Sequence, residues 1–286
     1  MEYKAPSSID EAVALLAGAN GNARVLAGGT DLLVQIRARF IKPPLVVDVK
    51  NIQELRTISS TDEGIRIGAA VSGAELGEHD VVQREWPGVV EAAELIGSTQ
   101  IQGRASLGGN LCNASPAADT VPALVAAGAI CLIAGPDGPR QAPVEQITTG
   151  PGQTSLKNGE IVVEFQFPKK LPHSGDAYLR FIPRTEMDIA VVGAGVSLTL
   201  DEAGVCQQAR VSLGAVAPTV LLVEAAANAL IGSRIDDQAL DKLEAAASDA
   251  CNPIDDKRGT VEFRVDVAGV LAKRAALIAK ERAEVN

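Results

Sequence analysis

The fold is decided by residues 24–33, Arg-Val-Leu-Ala-Gly-Gly-Thr-Asp-Leu-Leu, which run from a strand pattern into a helix pattern. The short apolar run predicts a buried strand, and the leucines after Asp31 resume helical spacing. Between them, the pair Gly28-Gly29 can adopt positive φ angles and leaves successive backbone N–H groups uncovered by a Cβ. Such groups at the start of a helix, together with the Thr30 hydroxyl, favour the binding of an anion. For one isolated glycine pair, a tight turn without a ligand stays open as an alternative.

A second glycine pair lies in residues 106–110, Ser-Leu-Gly-Gly-Asn, and we interpret it in the same way. Neither loop contains the lysine of the G-x-x-x-x-G-K-[ST] loop, which disfavours hydrolysis of a nucleoside triphosphate. A third run, residues 193–198, has the first two glycines of a dinucleotide fingerprint but Leu198 in place of the third. Because this run lies between strand patterns, we interpret it as close backbone packing within a sheet.

Outward from the first loop, the chain order predicts three parts. Residues 1–52 read helix, strand, loop, helix and strand, which is an α/β unit, and residues 53–170 form a second unit of strands and helices. A polar, Pro- and Gly-bearing stretch at 169–175 predicts a linker. Residues 176–286 then predict a small antiparallel sheet followed by Ala- and Leu-rich helices, the first of them at 220–230.

The composition limits the classes of function. The chain has 286 residues, of which 47% are hydrophobic, enough to build packed cores. Its 26 basic and 36 acidic residues give a net charge of −10, which disfavours binding to nucleic acid or to an anionic membrane surface. No apolar run reaches the ~18 residues of a membrane span, and no signal segment opens the sequence. We therefore expect a cytoplasmic protein without a membrane span.

The cysteines and histidines argue against several kinds of metal site. The cysteines stand singly, without a C-x-x-C pair, at Cys112, Cys131, Cys206 and Cys251. This spacing disfavours a zinc ribbon or a locally encoded iron–sulfur site and predicts reduced, mostly buried thiols. The histidines are only His79 and His173, neither within a pattern for a Ser-His-Asp triad or a His-rich metal site. We expect no metal ligands in this chain.

Five ordered segments carry a resemblance to a known family. They are Ala-Gly-Gly-Thr-Asp-Leu-Leu at 27–33, Gln-Ile-Gln-Gly-Arg-Ala-Ser-Leu-Gly-Gly-Asn at 100–110, Ala-Ser-Pro-Ala-Ala-Asp at 114–119, Arg-Thr-Glu-Met-Asp-Ile-Ala at 184–190, and Asp-Lys-Arg-Gly-Thr-Val-Glu-Phe-Arg at 256–264. Together they resemble the FAD-binding (medium) subunit of the molybdenum hydroxylase family, the relatives of xanthine dehydrogenase and carbon monoxide dehydrogenase. The resemblance covers essentially the whole chain, and an ordered set of five motifs is far more specific than either glycine pair.

The resemblance implies an α+β protein, with a two-part FAD-binding domain of the vanillyl-alcohol-oxidase type followed by a C-terminal domain of antiparallel sheet plus helices. It implies that the first glycine loop wraps the diphosphate of FAD and that the second glycine motif closes on the other side. Val162 then matches a contact at the adenine end, Arg180 one at the flavin edge, and Asp119 a further cofactor contact. The implied cofactor-binding residues are Val25, Leu26, Ala27, Gly28, Gly29, Thr30, Asp31, Leu32, Ile96, Ile101, Ser106, Leu107, Gly108, Gly109, Asn110, Asp119, Val162, Arg180 and Ile189, of which Ile96, Ile101 and Ile189 match positions that line the isoalloxazine.

The implied function is electron transfer from a partner's [2Fe-2S] clusters through FAD to an external acceptor such as NAD⁺, a quinone or oxygen. Molybdopterin and the clusters would lie only on partner chains, a large and a small subunit, in a dimer of heterotrimers. No catalytic side chain of this chain's own is expected. The lack of a histidine beside the first glycine loop predicts noncovalent FAD. The alternatives are a self-sufficient flavin oxidase, a nucleotide-binding module without redox function, and a structural subunit whose glycines serve turns.

Overall fold

The N-terminal part is a parallel three-stranded sheet with connecting helices. In the computed structural model, which describes residues 1–184 and 187–286, its elements are β1 (Glu2–Lys4), α1 (Ile9–Gly18), β2 (Ala23–Leu26), α2 (Leu32–Arg37) and β3 (Leu45–Asp48). The strand order is β1-β3-β2, and both pairs are parallel. Helix α1 begins after Ser8, whose side chain accepts a hydrogen bond from the Glu11 N–H. The first glycine loop leaves β2 at its carboxyl end, the edge at which parallel sheets bind ligands.

The second part is built on an antiparallel five-stranded sheet. Its strands follow the order β4-β5-β10-β6-β7, and a separate hairpin pairs β8 with β9. The elements are β4 (Ile58–Thr61), β5 (Gly64–Gly68), α3 (Gly73–Gly77), α4 (Asp80–Glu85), α5 (Pro87–Glu94), α6 (Thr99–Gln102), α7 (Leu107–Cys112), α8 (Thr120–Ala126), β6 (Ile130–Ala134), β7 (Arg140–Pro143), β8 (Thr148–Gly150), β9 (Gln153–Thr154) and β10 (Ile161–Pro168). The second glycine motif therefore forms the beginning of a helix, α7.

The first two parts share a hydrophobic core. Ile52 and Leu55, which follow β3, are buried in one cluster with Val47 and with Ile161 and Val163 of β10. The sequence predicts a boundary between the first and second parts after Ile52. Ile52 itself belongs to this shared cluster, and the boundary stays a prediction. The shared core fixes the parallel sheet against the five-stranded sheet, and the candidate site lies where the two meet.

The C-terminal part is an antiparallel four-stranded sheet with helices, as predicted. Its elements are β11 (Ser174–Phe181), β12 (Val192–Leu200), β13 (Cys206–Gly214), β14 (Leu221–Leu222), α9 (Glu224–Leu230), α10 (Asp237–Asp249) and α11 (Val261–Val285). The prediction of a helix over 220–230 is wrong at its start, because Leu221 and Leu222 pair with β13 before α9 begins. Tertiary strand pairing overrides the local preference there.

Helix α11 packs closely against the sheet through a face of small residues. A Cβ on Gly175 of β11 would lie 2.0 Å from the carbonyl oxygen of Ala279, so only glycine permits this approach. The buried alanines of α11 are Ala268, Ala272, Ala275, Ala276, Ala279 and Ala283. Neither α11 nor another helix within the described ranges is long and apolar enough to cross a membrane.

The glycine run at 193–198 lies in β12, as predicted. A Cβ on Gly195 would lie 2.6 Å from the carbonyl oxygen of Pro122 in α8. The run therefore serves close packing of a helix on the sheet, the role that its position between strand patterns predicts.

Candidate cofactor site

A cavity of about 660 Å³ opens between the parallel sheet and the five-stranded sheet, within the size range of small-molecule sites. The first glycine loop, the start of α7 and the segment before β10 form its walls. The structure thus brings together two motifs that are far apart in sequence. Of the implied cofactor-binding residues, its lining includes Val25, Ala27, Gly28, Gly29, Thr30, Asp31, Leu32, Ile96, Ser106, Gly108, Gly109, Asn110 and Val162.

The first glycine loop presents a row of free amides to the cavity. Within the described residues, the backbone N–H groups from Gly28 to Leu32 have no hydrogen-bond acceptor. Gly29 has a φ of +81°, a conformation that glycine adopts without strain. The loop then leads directly into α2, whose N-terminal end carries partial positive charge. A diphosphate supplies the oxygens that such a row of donors lacks, so the loop fits the central part of FAD.

The first glycine loop touches the backbone just before the second glycine motif. A Cβ on Gly28 would lie 1.8 Å from the carbonyl oxygen of Arg104, just before the second motif. The resemblance implies that the diphosphate of FAD lies against this loop, which by itself favours glycine at position 28. The structure adds a stronger reason, because the protein itself leaves no space for a side chain at this position.

The second glycine motif is largely saturated by the protein. The Gly108 N–H donates to the Ala69 carbonyl at 3.0 Å, and the Gly109 N–H donates to the Ser106 hydroxyl at 3.2 Å. The Asn110 side-chain oxygen accepts from the Thr120 hydroxyl at 2.6 Å. The prediction that both loops expose successive N–H groups is therefore wrong for this motif. The motif instead contributes small residues to the cavity wall. A Cβ on Gly109 would meet one atom of the described residues, Ser106 Oγ at 3.1 Å, so the space beside this glycine is open.

Cationic side chains add to the fit for an anion. Arg24 and Lys157 line the cavity, and neither forms an ion pair with a carboxylate of the described residues. The Lys50 ammonium lies nearby and donates to the Ala27 carbonyl at 3.1 Å, which fixes the start of the first glycine loop. The positive charge of Lys50 is balanced by Asp48, with 2.6 Å between Nζ and Oδ1. In a chain of net charge −10, this local arrangement favours a negatively charged ligand.

Asp119 and Arg180 contact each other rather than the cavity lining. Their side chains are buried and form an ion pair of 3.1 Å, and Asp119 also accepts from the Tyr178 hydroxyl at 3.2 Å. Burial raises the pKa of Asp119 to about 6, against the opposing effect of Arg180. Arg180 also donates to the Leu95 carbonyl at 2.8 Å, next to Ile96 of the cavity wall. The pair joins α8 and α5 to β11.

Replacing Asp119 by alanine should lower the free energy of unfolding of the protein. If Asp119 also contacts FAD, the same change weakens FAD binding by ~1–3 kcal/mol. The change leaves the buried Arg180 guanidinium without its counter-ion, which costs about 3–5 kcal/mol. The free energy of unfolding of the apoprotein measures this effect. The double variant Asp119→Ala/Arg180→Met should recover part of the loss, because it removes both charges. A single variant as stable as the wild type would show that the ion pair contributes nothing.

The remaining implied residues lie behind or outside the cavity. Leu26 and Leu107 are buried, and Ile101 is half-buried in α6. Ile189 is 52% exposed. Its neighbour Asp188 forms an ion pair with Arg258, with 3.4 Å between Oδ1 and Nε. Two residues of the fourth motif, Thr185 and Glu186, lie outside the described residues.

Several cavity residues have no signal in the sequence. Gln35 and Asn113 line the cavity together with Arg24 and Lys157, and only the three-dimensional pairing of loops reveals them. Cys112 also faces the cavity and is exposed, unlike the buried thiol that its pattern predicts. Among the described residues, no group of three or more His, Cys, Asp or Glu side chains is placed to hold a metal ion.

Comparison with known families agrees with this geometry. Residues 1–170 match the family described as the FAD binding domain in molybdopterin dehydrogenase, and residues 177–279 match the CO dehydrogenase flavoprotein C-terminal domain. Fold and site together thus define a flavoprotein component of an oxidoreductase. The chain belongs to the family of FAD-binding subunits of molybdenum hydroxylases, and its cofactor is FAD.

Individual relatives support the assignment over nearly the full length. The carbon monoxide dehydrogenase medium chain of Hydrogenophaga pseudoflava is 33% identical over 274 residues, covering 96% of this chain and 95% of the relative. The xanthine dehydrogenase FAD-binding subunit of Escherichia coli O157:H7 is 32% identical over 274 residues, covering 95% and 93%. Among solved structures, a chain of reconstituted CO dehydrogenase from Oligotropha carboxidovorans superposes with a TM-score of 0.95 at 33% identity, covering 99% and 98%.

Proposed function

We propose that the chain binds FAD noncovalently in this cavity and transfers electrons from a partner's [2Fe-2S] clusters to an external acceptor. The observation that carries the proposal is the row of unpaired amides from Gly28 to Leu32 on the cavity wall. When bound, FAD supplies the redox chemistry, since it exchanges electrons with donors and acceptors. The protein supplies a binding site and a defined environment.

The residues of the cavity have distinct roles in this proposal. The amides of the first glycine loop donate hydrogen bonds to the diphosphate, and the Thr30 hydroxyl adds a donor. Gly108 and Gly109 leave space on the opposite wall. Val162 forms part of an apolar surface for one end of the cofactor, and Ile96 forms part of the surface for the other. The remaining implied residues, Leu26, Leu107, Ile101, Asp119, Arg180 and Ile189, act through packing or through contacts at the cavity's border.

The proposed assembly contains an iron–sulfur small subunit and a molybdopterin large subunit, in a dimer of heterotrimers. Support comes from relatives that are named medium chains and from matched structures of molybdenum-containing CO dehydrogenase. Exposed apolar side chains that a partner would cover include Phe263 and Ile189, and the resemblance assigns Ile189 to the isoalloxazine end. Substrate oxidation would then take place on a partner, and this chain would act as the flavoprotein component.

Acid precipitation tests the noncovalent binding of FAD. The purified protein should show flavin absorption bands near ~370 and ~450 nm, because the protein positions the flavin without altering its chromophore chemistry. Precipitation with acid should release the flavin into the supernatant, since unfolding destroys the site and no histidine lies beside the first glycine loop. Flavin that remains on the pellet would contradict noncovalent binding. A colourless protein that does not take up added FAD would contradict the proposed function itself.

A further inference from the structure

Helix α2, which continues the first glycine loop, is poorly anchored for an element at a cofactor site. It buries none of its residues, and Leu33 and Val34 are 51% and 62% exposed. The helix therefore gains little from hydrophobic packing, which normally stabilises a short helix. Its position still matters, because it sets where the free amides of the loop point.

Separate contacts hold the two ends of this segment. At its beginning, Lys50 donates to the Ala27 carbonyl, and Gly28 packs against the Arg104 carbonyl. At its end, the Gln35 side chain donates from Nε2 to Asn113 Oδ1 at 3.1 Å. Among the side-chain hydrogen bonds within the described residues, this one alone connects α2 to another element.

The partner residue lies on the opposite wall of the cavity. Asn113 directly follows α7, and its N–H donates to the carbonyl of Gly109 at 3.0 Å. Both Gln35 and Asn113 line the cavity although 78 positions separate them in the sequence. A ligand between the first glycine loop and the second motif is therefore enclosed on one side by this hydrogen bond.

We infer that the Gln35–Asn113 hydrogen bond is a latch that fixes α2 across the cavity and slows the release of FAD. Both are positioning residues, since they act on the cofactor through the glycine loop. The inference rests on the proposed function, namely that the cavity binds FAD. With the latch broken, no other side-chain hydrogen bond of the described residues holds α2 to another element, and the amides lose their common orientation.

A double-mutant cycle on the rate of FAD release tests the latch. Gln35→Ala and Asn113→Ala should each speed release by a factor of about 3 to 10, the value of one neutral hydrogen bond. The double variant should release FAD no faster than either single variant, because both changes break the same bond. Dilution into an excess of an unrelated apo-flavoenzyme traps each released FAD, and the gain of that enzyme's flavin-dependent activity over time measures this rate.

A second measurement reports on α2 directly. Arg37 at the end of α2 and Arg39 just after it are exposed and offer trypsin cleavage sites. With FAD bound, each latch variant should be cut at these sites faster than the wild type. The apoproteins should melt within about 2 °C of one another, since α2 contributes no buried residue to the core.

A matched pair elsewhere provides the control. Gln141 Nε2 donates to Gln166 Oε1 at 2.9 Å on the five-stranded sheet, outside the cavity lining. Gln141→Ala should leave FAD release and cleavage at Arg37 unchanged. The inference is overturned if both latch variants release FAD at the wild-type rate, or if their effects multiply, which would show that each residue contacts FAD independently. In either case the wild type still binds FAD, whereas a wild type that takes up none would overturn the proposed function as well.

Discussion

A protein carrying Gly28→Ala should retain less than about one tenth of the wild-type FAD after purification. Its new Cβ would lie 1.8 Å from the Arg104 carbonyl oxygen, so the first glycine loop must move away from the second motif. That movement displaces the free amides from Gly28 to Leu32. Hydrogen bonds to a charged group contribute about 1.5–3 kcal/mol each, so the loss of two lowers affinity by a factor of about 100 or more.

The measurement is the ratio of flavin absorbance to protein absorbance, followed by titration of the apoprotein with FAD. Gly18→Ala is the matched control, because Gly18 ends α1 and a Cβ there would have no packing contact within 4 Å among the described residues. This control should retain full FAD content. A Gly28→Ala protein with wild-type FAD content would show that the glycine loop does not hold the cofactor, and the predicted turn without a ligand would be the better interpretation.

Substitutions at Gly109 test whether the cofactor occupies the space beside α7, because they disturb the packing of the protein itself very little. Because only Ser106 Oγ lies near the position of its Cβ, at 3.1 Å, the protein accommodates alanine after a small adjustment. In Gly109→Val, the additional methyl groups extend further and should exclude FAD while the C-terminal part remains folded, as a cooperative thermal transition would show. Full FAD retention in this variant would place the cofactor away from the α7 wall.

The sequence predicted those features of the site that depend on local backbone chemistry. The strand before Gly28 and the helix that follows Asp31 both follow from residues a few positions apart. The same holds for the glycine run in β12, whose position between strand patterns excluded a dinucleotide-binding loop. Local patterns of this kind are reliable because the interacting groups are neighbours in the chain.

Contacts between distant segments escaped the sequence analysis. Both glycine motifs look alike in sequence, yet the Ala69 carbonyl and the Ser106 hydroxyl occupy the amides of the second. Asp119 and Arg180 were each assigned to the cofactor by resemblance, but they form an ion pair across 61 positions. No periodicity encodes such pairings, because they depend on how separate sheets and helices pack. For the same reason, the latch between Gln35 and Asn113 has no counterpart in any local motif.

The isolated chain should oxidise no organic substrate, and substrate-dependent bleaching of its flavin should require both proposed partners. The described residues contain no group of three or more metal-ligating side chains, and the cavity wall presents a row of unpaired amides suited to holding a cofactor. The expected effect is therefore close to all or none. Co-expression with the adjacent genes, followed by size-exclusion chromatography, metal analysis and absorbance at ~450 nm under anaerobic conditions, measures it, because flavin absorbance reports the cofactor's redox state.

The control for this experiment is chemical reduction of the isolated chain with dithionite. It should bleach the flavin fully, because the cofactor is redox-active without partners. Adding only the small or only the large subunit should not permit reduction by substrate, since one lacks the site of oxidation and the other lacks the proposed clusters. The Asp119→Ala variant, if it still binds FAD, should assemble less well, because the ion pair fixes β11, whose Phe181 packs against the exposed Phe263 with 5.5 Å between ring centroids. If the chain elutes alone and turns over an organic substrate unaided, the subunit assignment fails and a self-sufficient flavin oxidase explains the fold better.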